Sequence, residues 1–322
     1  MEYRRLGHSG LQVSAIGLGT NAFGSRADEK ASIAVLHRAL AQGVNLIDTA
    51  DIYSGGRSEE IIGKGLEGHR EEAVLATKAG FPAGDGPNRR GGSRAHLLRS
   101  VEGSLRRLRT DYIDLFQVHI YDPWTPVEET LRTLDDLVRQ GKIRYIGTSN
   151  YAAWQLALAL GESRAHSLER FQSIQVSYSL ADRLPEREMQ PLCMHEQLGI
   201  LPYFPLAGGI LTGKYGSGAP PEGSRAAKNP SFAQRITPER LTLARDVAAI
   251  AAEAGSSSAA LSIAWLMRRP AVASVVVGAT SPAQLDANLT ALEAPWDERI
   301  ARSLDNCSAP FRDQPFESYS LT

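Results

Sequence analysis

Residues 44–53 read VNLIDTADIY. Val44, Leu46 and Ile47 have the composition of a short buried strand, Asp48 stands at its end, and Tyr53 follows in a loop marked by Ser54, Gly55 and Gly56. A carboxylate and a phenol are thus offered together where a buried strand reaches solvent. The bland reading makes Asp48 a loop cap and Tyr53 an amphipathic surface ring. The choice depends on whether the rest of the chain brings matching chemistry to the same place.

Working outward, the pattern repeats. Upstream, LQVSAIGLGT gives short alternating strands, an N-terminal β-hairpin followed by a first core strand from Ile16 to Gly19; Gly17, Gly19 and Gly24 lack the G-x-G-x-x-G spacing of a dinucleotide fingerprint. Asp28 then caps a helix to about Gln42, VNLIDTA is the second strand, Ser58 caps EEIIGKGL, and AVLATKAGF is the third strand. Ser93 opens a long helix to Thr110, YIDLFQVHI is the fourth strand, Pro126 starts a helix that Gly141 ends, and KIRYIGTSN is the fifth. A helix from about Ala152, the strand FQSIQVSYS, a helix containing PEREMQPLCMHEQ and the strand GILPYFPL follow. A Gly/Pro/Ser-rich excursion from Ala207 to Ser231 precedes helices at about 237–254 and 257–269, the eighth strand VASVVVGAT and the helix SPAQLDANLTAL.

Strands that are short continuous apolar runs, each followed by a helix, imply a parallel sheet covered on its faces. Closing it gives an α/β (β/α)8 TIM barrel, expected as one domain over residues 1–322 with a hairpin in front and a long loop after strand seven. An open doubly wound sheet is the rival. Lys and Arg number 35 against 36 Asp and Glu, so no global field favours nucleic acid. The two cysteines, Cys193 and Cys307, form no paired framework, MEYRRLGHSG lacks a signal-peptide core, and no apolar run approaches the roughly 20 residues of a membrane span. A cytoplasmic protein with no membrane partner is the expectation.

Barrel chemistry sits at the carboxyl ends of strands. There the sequence puts Asp48, Lys78 in strand three and His119 after strand four, each interrupting an apolar run where it meets its loop. Singly, Lys78 could pair structurally with Asp48 and His119 could be a satisfied core histidine; three adjacent strands making the same exception argue for a site. A phenol titrates near pKa ~10, so Tyr53 needs a neighbouring cation to exchange protons near neutrality, and Lys78 is expected to lower its pKa. Asp48 would hold that ammonium, and a neutral His119 would position a carbonyl oxygen. The set moves a proton but carries no reductant, so a hydride needs a cofactor. With one histidine at the strand ends and no paired carboxylates, no metal site is expected. His195, near Cys193 on a helix, reads as packing or surface.

The residues resemble the aldo-keto reductase superfamily. DTADIYSGGRSEEIIG, LATKAGF, QVHIYDP, GKIRYIGTSNY, QVSYSL, PLAGGILTGKY and GATSPAQLDANL carry the likeness, in family order along nearly the whole chain. The resemblance implies reversible reduction of an aldehyde or ketone to an alcohol, with hydride from NADPH, or from NADH, and with Tyr53 as the acid, tuned by Lys78 and Asp48, while His119 orients the substrate. It implies that Ser149, Asn150 and Gln175 bind the nicotinamide carboxamide, Tyr203 stacks on its ring, and Leu206, Gly208 and Leu211 wrap the pyrophosphate. Lys214 and Arg225 would serve the adenosine phosphates, as in the branch that includes potassium-channel β subunits. Ser281, Pro282 and Gln284 read as N-cap, first-turn proline and capping-box partner, an anion site by geometry, beside Gly278, Thr280 and Asn288 of the adenosine half. Ala287 replaces a usual Glu and Thr280 an Arg found in some members, so the preference for NADPH rests on Lys214, Arg225 and this helix end.

Asn21, Phe23, Phe81, Tyr121 and Trp124 should line the substrate mouth, while Arg89, Arg90 and Arg94 on its rim would suit an anionic substrate. The rival to a reductase of small carbonyl compounds is a nicotinamide-binding regulatory or redox-sensing subunit with weak residual activity.

Overall fold

A computed structural model describes residues 1–216, 225–228 and 230–316. The chain opens with an antiparallel hairpin, β1 (Tyr3–Arg5) and β2 (Gln12–Ser14), followed by eight parallel strands: β3 (Ile16–Gly19), β4 (Leu46–Asp48), β5 (Val74–Ala79), β6 (Ile113–Val118), β7 (Ile143–Ser149), β8 (Phe171–Ser177), β9 (Gly199–Tyr203) and β10 (Val275–Gly278). Their order, β10-β3-β4-β5-β6-β7-β8-β9, follows the chain around a ring. A bridge between Ile200 and Val272 joins β9 to the run before β10, with Ile200 N–H donating to Ala271 O at 2.7 Å and Ala273 N–H to Ile200 O at 3.0 Å. This is the expected (β/α)8 barrel.

Helices cover the outside of the ring: α1 (Glu29–Ala41), α2 (Arg57–Gly65), α3 (Arg94–Leu108), α4 (Val127–Arg139), α5 (Ala153–His166) and α6 (Met189–Glu196) follow β3 to β8 in turn. After β9 come the short α7 (Arg225–Lys228) and α8 (Pro230–Ala233), then α9 (Pro238–Glu253) and α10 (Ser258–Met267); α11 (Pro282–Leu289) and α12 (Glu298–Cys307) complete the shell. Among the described residues no single helix is long and apolar enough to cross a membrane. The caps follow the sequence at α1, where Asp28 accepts from Ala31 N–H, and at α11, where Ser281 accepts from Gln284 N–H.

Ser58 departs from expectation. The helix begins at Arg57 after Gly56, and the buried Ser58 hydroxyl instead bonds Thr49 and Thr20, at 2.9 Å to each hydroxyl, fastening α2 to the strand ends. The PEREMQPLCMHEQ segment splits into a short 3-10 turn, Leu184–Glu186, and α6.

All six residues of β5, VLATKA, are buried, because strands of a covered parallel barrel have no solvent face. Inside the ring the hairpin closes the amino-terminal end: Leu6 and Val13 pack with Leu46, Leu115, Leu201 and Val276. Arg4 seals the same end by donating to the carbonyls of Met267 at 2.6 Å and Val272 at 3.2 Å. The opposite, carboxyl end is left for polar side chains.

Candidate functional site

Asp48 is the last residue of β4, Lys78 the penultimate residue of β5, and His119 follows β6 directly. Lys78 Nζ donates to Asp48 Oδ2 and to the Thr49 carbonyl, both at 2.7 Å, and lies 3.4 Å from the Tyr53 hydroxyl. The other carboxylate oxygen, Asp48 Oδ1, accepts from Gln175 Nε2 at 2.8 Å and Gln117 Nε2 at 3.2 Å. Lys78 is fully buried and Asp48 nearly so. Desolvating two charges is costly, and these added hydrogen bonds are what make such a pair tolerable.

Tyr53 is placed by its backbone. Thr49 N–H donates to Ala76 O at 2.9 Å and Asp51 N–H to Lys78 O at 3.0 Å, so the chain keeps bonding to β5 past the end of β4. A 3-10 turn over Tyr53–Gly56 then reverses direction, with left-handed φ of 52° at Ser54 and 65° at Gly55. The phenol ring returns over the ion pair, its centroid 5.1 Å from Lys78 Nζ and 6.0 Å from that of the His119 ring, against which Phe81 packs edge-on at 4.7 Å.

Burial disfavours the Lys78 cation, but Asp48 and then Tyr53 outweigh it, and the ammonium pKa is raised. His119 is held well below its usual range by burial and by Lys78, so its imidazole is neutral. Tyr53 corrects the expectation: its phenol is raised rather than lowered, because burial outweighs the pull of Lys78 and Asp48 opposes that pull. The ring is therefore protonated at neutral pH.

These side chains open into a cavity of about 570 Å³ that runs past Ser149, Asn150, Gln175 and Tyr203 to Gly278, Thr280, Gln284 and Asn288. The volume lies within the roughly 300–1,000 Å³ of small-molecule sites. Asn21, Phe81, Leu206, Gly208 and Lys214 line it too. The Asn150 amide, in a left-handed turn with φ 57°, donates to His119 O at 3.0 Å and accepts the Tyr203 hydroxyl at 2.8 Å, which pins that ring to the wall. At the far end Thr280 donates to Gln284 Oε1 through its N–H and its hydroxyl, and Asn288 Nδ2 donates to Gly278 O at 3.3 Å. The Gln284 side chain thus reaches one residue beyond the N-cap that a capping box would use.

Other placements differ from the sequence reading. Phe23 and Leu211 are fully buried in the core rather than lining the cavity, since the turns carrying them point these apolar side chains inward. Tyr121 packs edge-on against Tyr151 and Trp154 outside the cavity lining, while Trp124 is 60% exposed with the Arg90 guanidinium 5.2 Å from its ring centroid. Arg94 pairs with Asp136 at 2.6 Å, so the three rim arginines do not act together. Arg225 begins α7, but its side chain lies outside the described residues.

Several lining residues escaped the sequence reading. Phe204, with φ 53°, and Arg26 line the main cavity, and Gln117 grips Asp48 from within β6. Gln117 occupies a strand position like those of Asp48 and Lys78, a polar residue in an apolar run, and that signal could have found it. Among the described residues no three His, Cys, Asp or Glu side chains stand together as a metal site.

Comparison with known proteins gives a consistent picture. A sequence model described as the aldo/keto reductase family matches residues 15–309. An uncharacterized oxidoreductase, YrpG, of Bacillus subtilis (strain 168) is 38% identical over 318 residues, 95% of each chain. A probable voltage-gated potassium channel subunit beta of Oryza sativa subsp. japonica is 39% identical over 91% of this chain and 92% of its own. The aldo-keto reductase YhdN of Bacillus subtilis (strain 168) is 37% identical over 89% of this chain and 87% of its own.

Proposed function

The chain belongs to the aldo/keto reductase family and is an oxidoreductase, and from that premise we propose that it reduces an aldehyde or ketone to the alcohol, reversibly, with NADPH as its preferred cofactor. The observation that carries the reading is the buried Asp48–Lys78 pair beneath a protonated Tyr53 and a neutral His119, all at one end of the 570 Å³ cavity.

The cavity suits a nicotinamide dinucleotide in its donor set. His119 Nδ1 is buried without a partner at one end, Lys214 is an exposed cation farther along, and a Cβ built at Gly278 would find only Gly19 O within 4 Å, at 3.9 Å. Ser149, Asn150 and Gln175 would hold the carboxamide, Tyr203 would face the ring, and Leu206, Gly208, Lys214, Thr280, Gln284 and Asn288 would hold the phosphate and adenosine portions, with Leu211 and Arg225 assigned by likeness alone. Such a cofactor, when bound, supplies the hydride that a carbonyl carbon accepts.

The protein's own groups complete the reduction. Tyr53 donates its hydroxyl proton to the carbonyl oxygen, a role a phenol fills only if it is protonated beforehand. Lys78 stabilises the phenolate left behind, and Asp48 keeps Lys78 charged and fixed. His119, neutral, hydrogen-bonds the same oxygen as charge develops there. Asn21 and Phe81 border the space for the carbonyl compound.

A panel of aldehydes, ketones and alcohols with NADPH and NADH, followed at the nicotinamide absorbance, tests the reading. Turnover with NADPH exceeding that with NADH is the expected outcome, and no oxidation of either cofactor by any carbonyl would sink it. Likeness to the rice channel subunit favours a second reading, a nicotinamide-binding regulatory subunit. Very slow single-turnover cofactor oxidation together with a stable partner complex would select it.

A further inference from the structure

Ile52 is a wall of two cavities. Tyr53 lines the first, described above; Asp51 lines the second, a space of about 430 Å³ between the turn after β4, the loop 80–93 and α3. Arg89 from the loop and Arg99 and Arg107 from α3 line this second cavity, with His96 and Ser100. Arg107 is committed to the buried Glu59 carboxylate at 2.6 Å. Arg99 donates to the Asn88 carbonyl at 3.2 Å, and neither it nor Arg89 has a carboxylate partner among the described residues.

Two buried polar atoms of this lining lack a hydrogen-bond partner. They are His96 Nε2, on a residue 2% exposed, and Asp51 Oδ1, on one 7% exposed. Buried polar atoms are nearly always paired, so each calls for an explanation. The backbone that carries Arg89 is tied down: Ala83 N–H donates to the Arg89 carbonyl at 2.9 Å, Gly91 N–H to Gly80 O at 2.7 Å, and Gly92 N–H to Asp122 Oδ2 at 2.8 Å.

We propose that this second cavity binds a small oxyanion, a phosphate group above all, through Arg89, Arg99, His96 and Ser100. Planar guanidinium forks match phosphate oxygens, and an imidazole N–H and a hydroxyl add donors to the same oxygens. Asp51 does not forbid the anion. Burial and the neighbouring Glu59 push its carboxyl up to about 7, against the pull of Arg107 and Ser100, so near neutrality it offers a neutral O–H donor much of the time. His96 is kept low by burial and then by Arg99 and Arg89, with Asp122 pulling the other way. An anion among these groups favours the protonated form of both Asp51 and His96, while Glu59 stays matched by Arg107. Binding therefore takes up protons and tightens as pH falls.

The test uses the full chain, with and without saturating NADP⁺, and follows the His96 ring resonance, assigned with His96→Gln, during titration with inorganic phosphate, glycerol phosphate and sulfate. The expected result is a saturable shift under both conditions, with affinity falling about tenfold in the Arg89→Gln/Arg99→Gln variant while turnover and the thermal midpoint hold. Sulfate, whose charge is constant over this range, should bind more tightly at pH 6.5 than at pH 8. Tighter binding of glycerol phosphate than of inorganic phosphate identifies an organic ester as the preferred source, and the reverse identifies the free ion. No saturable shift at physiological ionic strength, or an affinity unchanged in the double variant, overturns the proposal.

Discussion

Asp48 and Asp51 stand on one turn, three positions apart, and the fold treats them in opposite ways. Asp48 receives an ammonium and two side-chain amides on its two oxygens. Asp51 has an oxygen with no partner, a carboxylate neighbour in Glu59, and a pKa pushed up to about 7. Both are buried, so burial alone does not decide the charge of a carboxyl group. What differs is the supply of donors, and the turn parts a carboxylate bonded on both oxygens, on the side of the main cavity, from a carboxyl with a raised pKa on the side of the arginines.

The contrast can be broken from either side. The largest effect should come from Tyr53→Phe, which removes the proton donor but leaves the ion pair; turnover should fall by about 10³-fold with cofactor binding retained, and full turnover in the variant would contradict the assigned role. Lys78→Met leaves Asp48 buried without its counter-ion and should cost about 3–5 kcal/mol of stability besides abolishing turnover. Urea denaturation measures this, and an unchanged midpoint would mean that the amides alone carry the charge.

Asp51 gives the opposite experiment. Its folded pKa, about 7, lies above the ordinary carboxyl value of 3.8, so the folded state holds the proton more tightly than the unfolded chain. Its stabilising contribution is complete below about pH 3.8 and is lost as pH rises through about 7. At about 1.4 kcal/mol per pKa unit, the loss should be about 4 kcal/mol. Asp51→Asn should flatten this part of the stability–pH curve, and an unaltered slope would place the titration elsewhere. The smallest effect expected is Lys214→Ala, which should weaken NADPH about five- to tenfold while leaving NADH nearly unchanged; equal losses for both would take Lys214 away from the 2′-phosphate.

The barrel was legible because its strands are apolar runs punctuated by glycine, proline and capping residues, and polar exceptions at three consecutive strand ends stood out against that background. Asp51 and Glu59 did not stand out. They lie in a loop and on a helix, where acidic residues are ordinary, and the partner of the buried Glu59 carboxylate, Arg107, is 48 residues farther along the chain. Phe23 and Trp124 show the same limit in reverse: an aromatic after a strand can turn into the core or out to solvent, and only the turn geometry chooses. The upward shift of Tyr53 was missed because proximity to Lys78 is visible as a pattern, whereas the loss of water around the ring follows from the whole fold. The helix α12 drew no expectation, although Asp297 caps it through Ile300 N–H at 2.7 Å.

The ring of strands closes at β9 and β10 through one bridging pair, Ile200 with Val272. Tyr203 ends the strand on one side of that seam, and Gly278 ends the strand on the other; both line the main cavity. The seam is thus fastened by fewer ladder bonds than the run of β4, β5 and β6 that holds Asp48 and Lys78, so it should be the easier place for the ring to loosen. Amide hydrogens of Ile200 and Ala273 should accordingly exchange with solvent faster than those of β5 and β6, and should slow when the cavity is filled.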